Sequence, residues 1–227
     1  MDSHERVAGV ILAGGRSSRM GETDKALLPL AGGTLLARAI ARLAPQVSHI
    51  VISANGELNR FAQYALPVVA DRAPDYPGPL AGILAGLEWV AANRPDIRRV
   101  VSVPTDTPFF PVDLVDRFLA EPPRIPTLLV ARSESGVHPV VGMWTVEIAP
   151  ELAKALAEGK RKVGDWIRQQ KAVEVVFPAA VIGGREVDPL FNINRPEDLA
   201  EAEALLRRDD PPGQATWLAI FPFTRCG

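Results

Sequence analysis

At 227 residues, 47% of them hydrophobic, the chain is long enough to bury the core of one sizeable α/β domain. Its 25 Lys and Arg against 27 Asp and Glu leave a formal net charge of -2, which supplies no general basic field, argues against nucleic acid as a partner and makes small ligands the expected ones. The single cysteine, Cys226, excludes an intrachain disulfide and a cysteine-pair zinc site, and the apolar run Val7–Leu12 is too short for an export signal or a membrane span, so a cytoplasmic protein is expected.

Short β-branched runs alternate with segments of helical period, which predicts a three-layer α/β fold with a mostly parallel sheet and helices on both faces. The first strand, Val7–Leu12, runs into Leu12-Ala13-Gly14-Gly15-Arg16-Ser17-Ser18-Arg19-Met20-Gly21, followed by Glu22-Thr23-Asp24-Lys25. Glycines at such a point let successive amides turn inward into an anion-binding concavity, and Arg16, Arg19 and Lys25 can add charge-assisted bonds to a triphosphate. The spacing matches neither a P-loop, which needs Lys-Ser or Lys-Thr directly after its last glycine, nor G-x-G-x-x-G. A tight strand-to-helix turn with solvated arginines is the alternative.

A helix over Leu35–Leu43 and a strand over His49–Ser53 follow, with Ser53 and Asn55 sharing a face at the strand's end. After a strand at 68–70 comes Asp71-Arg72-Ala73-Pro74-Asp75-Tyr76-Pro77-Gly78-Pro79-Leu80-Ala81-Gly82, whose Gly78 and Gly82 open a helix over 80–93 and permit either close ligand approach or ordinary turn geometry. The strand 99–103 delivers Asp106 in Pro104-Thr105-Asp106-Thr107-Pro108-Phe109 to the carboxyl edge of the sheet, where ligands of open α/β sheets bind. A carboxylate there can hold magnesium against phosphate oxygens, or can cap a turn.

Beyond it the pattern gives a helix at 112–120, strands at 127–131 and 140–144, helices at 148–157 and 163–170, and a strand at 173–177. His138-Pro139 has no nucleophile at any recognisable spacing. Lys160-Arg161-Lys162 is a charge run at a helix start, of the kind that is usually solvated. Asn192 and Asn194, one strand period apart, can ligate metal or substrate or cap the last helix, for which Asn194 is the expected N-cap, with Pro196 in the first turn and Arg207 and Arg208 closing it. One domain over 1–208 is expected, with 209–227 an apolar appendage, docked or disordered, carrying the patch from Trp217 to Phe223.

Together these segments resemble the molybdenum cofactor guanylyltransferases, the MobA family of the nucleotide-diphospho-sugar transferase fold. The matching pieces are Leu12 to Gly15 with Arg19-Met20-Gly21 and Asp24-Lys25, Asp75 to Gly82, Pro104 to Phe109, His138-Pro139, and Asn192 to Glu197, in family order over roughly 7–208. The resemblance implies a Rossmann-like nucleotidyltransferase fold and magnesium-dependent transfer of GMP from GTP to the terminal phosphate of molybdenum-bearing molybdopterin, with pyrophosphate released. It implies that Leu12, Ala13 and Gly14 hold the nucleotide, Lys25 its phosphates, and Asp71 the nucleoside, while Asp106 binds Mg2+. Gly15, Arg19, Gly21, Gly78, Gly82, Asn192 and Asn194 complete the phosphate and acceptor surface. Ser53 stands where the family places an asparagine near the base, with Asn55 beside it, so a sister transferase using CTP or a sugar phosphate acceptor is the nearest rival. A non-catalytic pterin or nucleotide delivery protein, meeting molybdoenzymes through transient contacts, is the rival of another class.

Overall fold

The computed structural model describes residues 6–14, 24–70, 78–122 and 128–209. In chain order its elements are β1 (Val7–Leu12), β2 (Pro29–Leu30), β3 (Gly33–Thr34), α1 (Leu35–Leu43), β4 (His49–Ser53), β5 (Val68–Val69) and α2 (Pro79–Asn93). There follow β6 (Arg99–Pro104), α3 (Leu114–Leu119), β7 (Leu129–Ser133), β8 (Gly136–Thr145), α4 (Ala149–Ala157), α5 (Val163–Gln169), β9 (Val173–Val176), β10 (Ala180–Ile182), β11 (Arg185–Val187) and α6 (Pro196–Asp209). Seven strands form one sheet in the order β5-β4-β1-β6-β8-β7-β9, and every pairing in it is parallel except those of β8, which runs antiparallel to both neighbours.

The three layers follow from alternation along β1. Val7 and Ile11 point into one apolar cluster with Leu36 and Ile40 of α1 and Leu114 and Phe118 of α3. Ala8, Val10 and Leu12 point into the opposite cluster with Ile83 and Leu87 of α2, Leu152 of α4 and Trp166 of α5. All six residues of β1 are buried, as a parallel strand covered on both faces must be. A third cluster joins α6, through Ala202, Leu205 and Leu206, to Leu30, Phe109, Ile182 and Ile193.

Each predicted strand and helix is present, with ends shifted by a few residues; Thr127, the first residue of the predicted strand at 127–131, lies outside the described residues. Two hairpins were not expected, β2–β3 and β10–β11. Their strands of two or three residues are too short to show a period. The strand β8 starts at Gly136, well before the expected residue 140, because His138-Pro139 reads as loop. The ladder explains how a proline fits: β7 pairs Val130 with Gly142 but Ala131 with His138, so the extra residues of β8 bulge out and Pro139 is asked for no ladder bond. Among the described residues no helix is long and apolar enough to cross a membrane.

Candidate functional site

The strand order places β1 between β4 and β6, so the chain leaves β1 toward one side of the sheet and returns on the other. This reversal is the topological switch point, where the carboxyl ends of the strands open a crevice. Two backbone bonds lock the three strand ends there: Ala13 N–H donates to the Ser53 carbonyl at 2.8 Å, and Thr105 N–H donates to the Leu12 carbonyl at 3.2 Å.

Lys25 opens a 3-10 turn over Lys25–Leu27, and its Nζ lies 2.7 Å from Asp106 Oδ2 and 3.3 Å from Asn194 Oδ1. The lysine and aspartate side chains are only 17% and 24% exposed, so the pair is partly shielded while one side remains reachable. Three sequence segments thus meet at one ammonium. The segment that follows Asp106 is fixed to the one before α6: Ile193 N–H donates to the Asp106 carbonyl at 2.8 Å, and Thr107 Oγ1 donates to Asn192 Oδ1 at 2.6 Å. Asp106 therefore presents its carboxylate to the crevice and caps no helix. Asn194 is not the cap of α6 either; Asp198 reaches back, its Oδ2 accepting from the Asn194 and Arg195 amides at 2.7 and 2.8 Å.

Asp24 and Arg60 brace the lysine from behind. Asp24 Oδ1 accepts from Ala26 N–H at 3.1 Å and its Oδ2 takes the Arg60 Nε–H, while Arg60 also donates to the carbonyls of Asn55, at 2.8 Å, and Glu57. Its guanidinium stacks 4.3 Å from the centre of the Phe61 ring. Arg60 lies in no recognisable motif, and nothing in the sequence singles it out.

The other expected residues are placed differently from one another. Leu12 and Ala13 are buried at the end of β1 and Gly14 is exposed just beyond them. Ser53 is 3% exposed, and a Cβ placed on Gly82 would fall 2.7 Å from its hydroxyl and 3.1 Å from Leu12 Cδ2, so Gly82 lets α2 close onto the ends of β1 and β4. Asn55, by contrast, is exposed. Gly78 precedes α2 with φ +154°, and a Cβ there would lie 3.9 Å from the Arg161 carbonyl, which brings the basic run 160–162 alongside the positive end of that helix. Gly15, Arg19, Gly21 and Asp71 lie outside the described residues.

His138, unpaired by any sequence spacing, has partners in space. Its Nε2 lies 2.8 Å from Ser133 Oγ and 3.2 Å from Ser135 Oγ, and Ser133 Oγ donates to Asp188 Oδ2 at 2.6 Å. Burial lowers the pKa of His138 against the opposing pull of Asp188. Burial works against ionisation of Asp188, but bonds from Ser133, Ser135 and the Leu190 amide outweigh it and hold the carboxyl below its usual range. No sequence signal links Asp188 to Ser133, 55 residues before it.

An oxygen-rich crevice of this kind can seat phosphates and a divalent cation. Two side-chain oxygens, from Asp106 and Asn194, already converge on a cation, the Lys25 ammonium. Among the described residues no group of three or more His, Cys, Asp and Glu could hold a metal, so an ion here would take most of its ligands from phosphate and water, the usual habit of Mg2+.

Residues 9–174 match the family described as the MobA-like NTP transferase domain. The chain is 47% identical over 206 residues to the molybdenum cofactor guanylyltransferase of Bradyrhizobium sp. (strain ORS 278), covering 90% of this chain and 95% of that protein. It is 44% identical over 204 residues to the molybdenum cofactor guanylyltransferase of Cereibacter sphaeroides (strain ATCC 17029 / ATH 2.4.9), covering 90% and 99%. Among solved structures, the molybdopterin-guanine dinucleotide biosynthesis protein A of Archaeoglobus fulgidus superposes with a TM-score of 0.62 at 21% identity, over 86% of this chain and 96% of that one.

Proposed function

The chain belongs to the MobA-like NTP transferase family, and on that premise we propose that it transfers GMP from GTP to the terminal phosphate of molybdenum-bearing molybdopterin, forming molybdopterin guanine dinucleotide and pyrophosphate. The observation that carries this reading is the meeting of Lys25, Asp106 and Asn194 at the switch point, a cation and two oxygen donors at the carboxyl edge of the sheet.

The acceptor phosphate attacks the α-phosphorus in line; one P–O bond forms to the acceptor and the bond to the β-phosphate oxygen breaks, releasing pyrophosphate. No covalent enzyme intermediate is needed, so the protein's contribution is positioning and charge neutralisation. Leu12, Ala13, Gly14 and Gly15 follow the nucleotide with their backbone, and Arg19 and Lys25 neutralise the negative charge that leaves as pyrophosphate. Asp71 and Asn55 serve the nucleoside, and Ser53 contributes through its backbone, since its hydroxyl is turned under Gly82. Gly78 and the 160–162 run border the acceptor side, with Asn192 holding the adjoining segment in place. Asp106, with Asn194, would hold the Mg2+, which when bound neutralises phosphate charge. The setting we read for this chemistry is the cytoplasm.

Pyrophosphate release from GTP, measured with molybdopterin present and with and without magnesium, tests the reading. Asp106→Asn is expected to lower the rate by a factor on the order of 100 or more, because it removes the negative charge that would hold the cation against the phosphates; wild-type turnover in that variant would remove Asp106 from the centre. Because the Ser53 hydroxyl is packed away from the crevice, base choice is the finer question. Competition among GTP, CTP and UTP answers it, with GTP expected to bind tightest, because a wrong base leaves polar groups unpaired.

A further inference from the structure

Nothing in the transfer proposed above uses Ser133, His138 or Asp188, yet the turn that Asp188 makes leads into its centre. Ser133 is buried and has one hydroxyl proton. Asp188, as a carboxylate, only accepts, so that proton goes to its Oδ2 at 2.6 Å. The Ser133 oxygen then faces His138 Nε2 at 2.8 Å with lone pairs alone, so Nε2 is the protonated nitrogen and the imidazole is held in one tautomer. The β-bulge that opens the β7–β8 ladder between Val130 and Ala131 is what carries His138 to this position.

At its other end Asp188 makes a turn. Its Oδ1 accepts from the Leu190 amide at 2.8 Å and its carbonyl from the Phe191 amide at 3.0 Å. The residues leaving that turn are the ones that meet the centre: Asn192 against Thr107, the Ile193 amide against the Asp106 carbonyl, and Asn194 against Lys25. A brace for the β7–β8 turn alone would need no carboxylate from a segment 55 residues away. We infer that Ser133, His138 and Asp188 form a positioning relay, which anchors the 188–194 segment to the sheet and thereby sets Asp106, Lys25 and Asn194 relative to one another. Its kinetic consequence rests on the transfer reading; its structural one does not.

The test uses Ser133→Ala, His138→Leu and the conservative His138→Gln, which keeps a side-chain N–H near the Nε2 position, each in the full chain. Amide hydrogen exchange reads the anchor without any substrate. The Leu190 and Ile193 amides are expected to exchange at least tenfold faster in Ser133→Ala and His138→Leu, with the amides of β1 and β6 unchanged, and to return toward wild-type rates in His138→Gln. Turnover of GTP with molybdopterin is expected to show kcat reduced about tenfold and KM for GTP within about twofold, again recovering in His138→Gln. Unchanged exchange at Leu190 and Ile193 would overturn the relay whatever the kinetics. Faster exchange with unaltered kcat would overturn its role in setting the centre, and faster exchange spread over the whole sheet would reduce it to ordinary stability. A wild-type protein inactive on GTP and molybdopterin would refute the proposed transfer instead, and the exchange result would still decide the anchor.

Discussion

Arg60 gathers four interactions behind the site: one carboxylate, two carbonyls and an aromatic face. A lysine cannot reproduce that fork, since it has no planar set of donors. Losing charge-assisted bonds worth about 1.5–3 kcal/mol each, partly replaced by water, should loosen the turn that aims Lys25. Arg60→Ala is therefore expected to weaken GTP binding by roughly tenfold or more, equivalent to about 1.4 kcal/mol, in an isothermal titration. Arg60→Lys should recover little of it; full recovery would mean that charge alone matters. His138 gives a second prediction at this scale. Burial lowers its folded-state pKa below the unfolded value, so the fold prefers the neutral ring, and the associated stability is complete above the unfolded pKa and is lost as pH falls through the folded one. Between about pH 8 and pH 5 the melting temperature should fall less steeply in His138→Gln than in wild type. His49, whose pKa burial and Arg94 also lower, contributes in the same direction, so His49→Gln is the matched control.

Among the elements, α2 is one whose docking shapes the site, and Gly82 decides how close it comes. An added methyl at Gly82 meets the Ser53 hydroxyl at 2.7 Å and Leu12 at 3.1 Å, but meets the Ser53 Cβ at an ordinary 3.6 Å. Overpacking of this kind costs about 1–3 kcal/mol, offset by up to about 1 kcal/mol of helix propensity. Gly82→Ala should thus lower the melting temperature by several degrees, about 2–4 °C per kcal/mol for a chain of this size. Ser53→Ala should restore much of it in the double variant, a positive coupling visible in a double-mutant cycle. What could be read in the sequence follows the same physics. The long buried strands and the amphipathic helix α1 declare themselves through period, and the Asp106 and Lys25 segments through position at strand ends. The β2–β3 and β10–β11 hairpins have too few residues to show a period. The bulge in β8 is a property of its pairing with β7, so a strand containing His138-Pro139 reads as loop. Arg60, Ser133 and Asp188 act across tens of residues and belong to no motif, which is why only the folded chain brings them to the site.

At the scale of the whole molecule the question is where the domain ends. The last helix is not an attachment to the sheet's edge alone: Ala202, Leu205 and Leu206 are buried with Leu30, Phe109 and Ile182 in the third cluster, and the turn between β10 and β11 fits so closely that a Cβ at Gly183 would fall 2.6 Å from the Leu205 carbonyl. Ile193 belongs to the same cluster and its amide holds the Asp106 carbonyl, so the helix that buries it also steadies the site. Removing α6 would expose apolar side chains whose burial stabilises by about 1.5–3 kcal/mol for each large residue, a large part of a typical domain's total. A chain ending at Arg195 is expected to lose cooperative unfolding near the wild-type midpoint. A chain ending at Asp209 retains every described residue of that cluster, and we expect it to melt within about 3 °C of the full chain, less than about 1–1.5 kcal/mol, and to turn over GTP at the wild-type rate. A loss of activity on removing 210–227 with the melting temperature unchanged would make those residues part of the catalytic unit, whereas a fall in both would extend the domain beyond α6.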